Sequence, residues 1–179
     1  EIVILNSYSI TEKVIEELGL GLSYFQHGLF QTNELFDDSP FIVHLDSTHD
    51  QLTGTEFEVN IIDDNSFNLT FSANDRFPYN LEIEKFNKTL LANIDINETF
   101  KFGQEITSDY YSFTISKSIF FKEDEIKNAG KTYSFKLHET DKLAHNLIDN
   151  VQINPINKET SILKLNIKAK NPKKNINIL

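Results

Sequence analysis

The chain has 179 residues, 39% of them hydrophobic and 12% aromatic, with a formal net charge of −10. That length and apolar content suffice for a compact domain with a buried core. The acidic balance repels phosphate backbones, so no nucleic-acid partner is expected. No stretch approaches the ~20 apolar residues that span a bilayer. Cys is absent, which excludes disulfides and a thiol nucleophile and leaves the redox compartment open.

Residues 7–18 read as a helix. Ser9 with Glu12 three positions on forms a capping box, Ile10, Val14, Ile15 and Leu18 share one apolar face, and Gly19 and Gly21 stop it. A short strand follows at 22–26, then a polar connector at 34–40 that holds a Pro, then a strand at 41–46. The middle of the chain alternates apolar and polar residues. Strands are expected at 56–62 and 66–72, joined by an Asp63-Asp64-Asn65 turn. Others are expected at 81–83, 99–102, 110–116 and 133–138, one face buried and one wet. A helix returns at 141–150, capped by Thr140. Strands at 151–154 and 161–169 follow, and Pro172 opens a last helix. The expected fold class is α+β. A small α/β scaffold is built from the chain ends, 1–46 and 139–179. A large antiparallel β insertion, 47–138, sits within one domain spanning 1–179.

The termini carry further information. The final residues keep an apolar pattern without a stop signal, and the chain contains no Met. A domain cut from a longer protein is the expectation. Asn68, Asn87 and Asn97 each begin an Asn-X-Thr tripeptide, read as coincidence in a chain so rich in Asn.

Several pieces at both ends resemble one family in order and spacing. They are Glu1-Ile-Val-Ile-Leu-Asn-Ser7, Val14-Ile-Glu-Glu-Leu-Gly-Leu20 and Leu22-Ser-Tyr-Phe-Gln-His-Gly28. Thr32-Asn-Glu-Leu-Phe36, Ser39-Pro-Phe41, Ser161-Ile-Leu-Lys-Leu165 and Asn171-Pro172 complete the set. Together they resemble the extracytoplasmic domain of the Wzz-type polysaccharide chain-length determinants, or polysaccharide co-polymerases, in their kinase-linked branch. Glu34, Leu35, Pro40, Phe41 and Pro172 stand at motif positions with structural roles. Lys173-Lys-Asn-Ile departs from the family, which tends to have Ala on that helix face. The 47–138 block matches no part of the family pattern.

The resemblance implies a periplasmic domain of an inner-membrane protein, or one outside the cell in a single-membrane organism, held between two membrane helices that flank these residues. It implies a homo-oligomer beside a polysaccharide polymerase and export machinery. Such a domain regulates the length of capsular polysaccharide, exopolysaccharide or O-antigen by scaffolding and not by catalysis, and uses no cofactor. A tyrosine autokinase would lie beyond Leu179, since these residues contain no phosphate loop.

The residues themselves also suggest chemistry. His44, Asp46, His49 and Asp50 carry ligand types suited to a transition metal, although their spacing matches no known ligand pattern and reads better as a polar strand end. His138 and His145 straddle a helix cap. Asp37/Asp38, Asp63/Asp64 and Glu123-Asp124-Glu125 are acid pairs of the kind glycosidases use, but adjacent acids in loops normally face water. There is no G-x-S-x-G elbow. Phe120-Phe121 reads as an apolar anchor or a subunit contact. Tyr79, Tyr110 and Tyr111, with Phe77, have the amphipathic rings that stack on sugars, and equally the makings of ordinary β packing. They support an alternative function, a carbohydrate-binding β module of a cell-surface protein. A carboxylate hydrolase is a third reading.

Overall fold

Strict alternation governs the middle of the chain. In β5 (Glu56–Ile61) and β6 (Ser66–Ala73) every second side chain is buried. Phe57, Val59, Ile61, Phe67, Leu69, Phe71 and Ala73 point inward, and Glu56, Glu58, Asn60, Thr70 and Ser72 point out, because successive strand residues face opposite sides. The computed structural model describes residues 7–91, 93–122, 132–156 and 163–167. The chain divides into two units, one of residues 22–137 and one that gathers 1–21 with 138–179.

The larger unit is an antiparallel β-sandwich. Its six-stranded sheet adds β1 (Leu22–His27), β2 (Thr32–Leu35), β9 (Ile94–Lys101) and β12 (Thr132–Leu137), in the order β2-β1-β12-β5-β6-β9. The second sheet is β10-β11-β3, from Glu105–Ser108, Tyr111–Lys117 and Phe41–Leu45. A small third sheet joins β4 (Asp50–Gln51), β7 (Tyr79–Asn80) and β8 (Lys85–Phe86). The core between the two larger sheets is aromatic. Phe57 stacks on Phe135 with ring centroids 4.7 Å apart and meets Phe113 from the opposite sheet edge-on at 5.5 Å. Phe71 meets Tyr111 at 5.4 Å, and Phe41 lies edge-on to Tyr133 and Phe135. Such pairs add about 0.5–1.5 kcal/mol each beyond area burial.

This architecture corrects the expected fold class. The protein is β-rich, with two helices among the described residues, and is not an α/β scaffold carrying a central insertion. The strands assigned to that scaffold, β1 and β3, are sandwich strands. Leu22 lies directly opposite Leu137 on β12, and Phe41 opposite Lys117 on β11. Phe41 and Val43 of β3 are buried in the same core as the middle strands, and Leu22 and Tyr24 of β1 pack against it. The stretch expected as a strand at 81–83 is a turn between β7 and β8. The Asn80 side-chain oxygen accepts the backbone N–H groups of Glu82 and Ile83, which diverts the backbone from ladder pairing.

In the smaller unit, α1 (Tyr8–Glu17) packs with α2 (Thr140–Asn150), and β13 (Val151–Pro155) pairs with β14 (Leu163–Ile167). The expected capping box is not formed. Ser7 is the N-cap, and Ser9 already lies within the first turn. Nor does Thr140 cap α2, since Glu139 holds that position. The C-terminus of α1 follows expectation. Gly19 takes φ +61°, and the N–H groups of Gly19 and Leu20 return to the carbonyls of Glu16 and Ile15, bringing buried Leu20 next to buried Ile15. The Tyr8 hydroxyl donates to Asp141 at 2.9 Å, tying α1 to α2. Residues 1–6, Glu123-Asp124-Glu125 and the helix expected from Pro172 lie outside the described residues.

Candidate functional site

The residues singled out for metal binding have local tasks. His44 Nε2 is 2.7 Å from the Ser116 hydroxyl. Asp46 accepts the Thr48 hydroxyl at 2.7 Å and the Thr48 N–H at 3.0 Å. The hydroxyl first, and then the N–H, hold its carboxyl below the ordinary carboxylate range. His49 Nδ1 is bonded to the Asp50 carbonyl, and the Asp50 carboxylate accepts from Asn80 and Asn87. Among the described residues no group of three His, Asp or Glu comes together in a way that could hold a metal ion. His145 Nδ1 is 2.8 Å from the Asp141 carbonyl within α2, and the His138 N–H donates to the Gly21 carbonyl.

The acid pairs are turn and surface residues. Asp63 accepts from Asn65 and Ser66 within its hairpin, and Asp64 pairs with Lys117 at 2.7 Å. Asp37 and Asp38 lie exposed in the connector. Of the three tyrosines, Tyr79 and Tyr111 are 2% and 6% exposed and so present no ring to a ligand. Burial pushes the Tyr111 phenol above its usual value. Tyr110 is half-buried against the core, while Phe77 is exposed. Of the motif positions, Phe41 and Pro40 are buried and Leu35 packs on the core. The Glu34 carboxylate faces the Ser23 hydroxyl at 3.4 Å, and Pro172 lies outside the described residues.

The register of the large sheet instead assembles a polar field on its outer face. Glu34, Phe25, Ser134, Glu58, Thr70 and Asn97 form one row across all six strands, each opposite the next. A trough of about 620 Å³ runs along this face from His27 on β1 to Asp95 and Asn97 on β9, open on its solvent side. Glu56, Glu58, Thr70, Ser72 and Thr132 also line it. Its β1 end is fixed by a bonded group. The buried Ser134 hydroxyl donates to Glu56 at 2.6 Å, and His27 Nε2 lies 2.8 Å from that hydroxyl and 3.2 Å from Glu56. Since the serine proton is directed to Glu56, Nε2 is the donor to Ser134, and Nδ1 accepts from the Thr32 hydroxyl at 3.1 Å.

This serine, histidine and glutamate do not form a nucleophilic triad. There, histidine stands between serine and acid and takes the serine proton on one nitrogen while the acid holds the other. Here serine and acid share the same nitrogen, and the serine is 1% exposed. The group is a rigid polar wall.

Sequence reasoning missed this surface. Alternation marks Glu56, Glu58, Thr70 and Ser72 as wet, but only the strand order brings residues 27, 56, 70, 97 and 132 together. Neither a scan against protein-family models nor a search of the curated proteins finds a match to this chain.

Proposed function

We propose that the chain is the extracytoplasmic part of a Wzz-type regulator of surface-polysaccharide length, acting as a scaffold without catalysing a reaction. The observation that carries the reading is the gathering of the two chain ends. Segments that resemble the family at 14–20 and 163–165 belong to one unit, in which α1 packs with α2, the Tyr8–Asp141 bond ties the two helices, and Ala144 of α2 is buried. A domain whose first and last segments share a unit is suited to being held between two neighbouring membrane helices. In this reading the smaller unit couples to the membrane, copies of the chain assemble into a ring, and the polymerase and export machinery are the partners.

The test has two parts. Apolar runs of ~20 residues are expected in the reading frame on both sides of these residues. Replacing Ala144 by Asp, which forces a charge into a buried position of α2, is expected to shift the length distribution of surface polysaccharide on gels while the protein stays at normal level in the membrane. Flanks without such runs, or a strain lacking these residues that makes polysaccharide of unchanged length, would overturn the reading.

A further inference from the structure

We infer that the trough on the outer face of the six-stranded sheet is a binding site for a neutral oligosaccharide. The inference rests on this face of the sheet and goes beyond the scaffolding reading.

Shape is the first ground. The cavity falls within the roughly 300–1,000 Å³ of small-molecule sites. It crosses five adjacent strands, from β1 through β12, β5 and β6 to β9. At ~4.8 Å per step that is about 19 Å, a length that suits a linear chain of several rings better than a single small metabolite.

Chemistry is the second ground. Three carboxylates, Glu56, Glu58 and Asp95, line the trough with the hydroxyls of Thr70, Ser72 and Thr132, the Asn97 amide, His27, Phe71 and Ile96. Carboxylates accept hydrogen bonds from ligand hydroxyls; the Thr70 hydroxyl, which donates to Asn68, keeps acceptor capacity, and the Asn97 amide, whose oxygen accepts from Asn68, keeps its donors, so the polar lining can answer a polyol. Among the described residues no Lys or Arg lines it; Lys136 stands opposite Glu56 in the ladder, outside the lining. In a chain of net charge −10, uronates, phosphates and other polyanions are excluded by repulsion.

Preorganisation is the third ground. Glu56, Ser134, His27 and Thr32 are bonded in series, so that wall need not be ordered when a ligand arrives. Phe25, partly exposed, sits on the same face outside the lining, opposite both Ser134 and Glu34 in the ladder. It offers an apolar ring for the C–H face of a pyranose.

The test is an amide-shift titration of the ¹⁵N-labelled 179-residue chain with maltohexaose, xylohexaose, mannohexaose and chitotetraose. Tetragalacturonate and tetralysine serve as charged comparators. At least one neutral oligosaccharide is expected to give saturable shifts centred on Glu58, Thr70 and Asn97, with a dissociation constant of about 1 mM or below. Glu58→Gln and Asn97→Ala, both at exposed positions, are expected to weaken it about tenfold. Phe30→Ser on the β1–β2 hairpin tip should leave it unchanged. Absence of saturable shifts in the trough with all four neutral probes at about 20 mM overturns the inference. So does binding there of tetragalacturonate, or of tetralysine in preference to every sugar. Polysaccharide length in cells is a separate readout, so failure here leaves the scaffolding reading to its own test.

Discussion

Gln51 offers a sharp test of how the sandwich is held at the β4 side. It is 1% exposed. Its amide nitrogen donates to the carbonyls of Asp46 at 2.9 Å and Ser112 at 2.8 Å, and its oxygen faces the Ser112 N–H at 3.4 Å. Replacement by Leu keeps the volume and the burial but removes all three contacts. The Ser112 carbonyl retains the Asp46 N–H at 3.0 Å, so the main loss is the partner of a buried N–H, about 1–3 kcal/mol. Gln51→Leu is therefore expected to destabilise by about 2 kcal/mol, lowering the urea midpoint by roughly 1 M for a slope near 2 kcal/mol/M. Circular dichroism during urea unfolding reads it. Gln51→Glu is the stricter probe. Its carboxylate would face two carbonyl oxygens, which raises its folded-state pKa above the unfolded value of about 4.3. The deficit should then be small below that pH and grow as pH rises through the raised folded value. A Gln51→Leu protein within about 0.5 kcal/mol of the parent, or a Gln51→Glu protein whose deficit is the same at pH 4 and pH 7, would refute the bridging role.

Other outcomes follow from single features. Phe57→Ala removes the ring that touches Phe71, Phe113 and Phe135; a loss of about 3–5 kcal/mol is expected in the same unfolding assay. Gly19→Ala meets no neighbouring atom within 4 Å, so its cost is that of φ +61° alone, about 1 kcal/mol. Asp46 should titrate by carbon-13 NMR below ordinary aspartates, and Thr48→Val should raise its midpoint. Because the folded value is depressed, this turn's support is present above the unfolded value and disappears as pH falls through the folded one.

Much of the sandwich was legible from alternation. Phe57, Val59, Ile61 and Phe67, Leu69, Phe71 declare their buried face, and Asp63-Asp64-Asn65 declares the turn. Partner choice was not legible. Nothing local to Leu22–His27 says that it pairs with Thr132–Leu137, more than 100 residues on, so β1 and β3 were given to the wrong architecture. Short strands such as Asp50–Gln51 and Glu105–Ser108 are too brief to show a period. The sugar-binding candidates followed residue type, and burial decided against Tyr79 and Tyr111. The polar trough has no one-dimensional signature, because its members come from five strands and become neighbours only through register.

The pairing of Leu22 with Leu137 also sets the mechanical response of the sandwich. The chain enters and leaves this unit at adjacent ends of neighbouring antiparallel strands. Tension applied between residues 22 and 137 acts across the β1–β12 ladder, perpendicular to the strands. Its bonds then open one after another, like a zip, and are never loaded together in shear. Under force the sandwich yields early and from its Leu22–Leu137 end, while the opposite end, at His27 and Thr132, is the last part of that ladder to part.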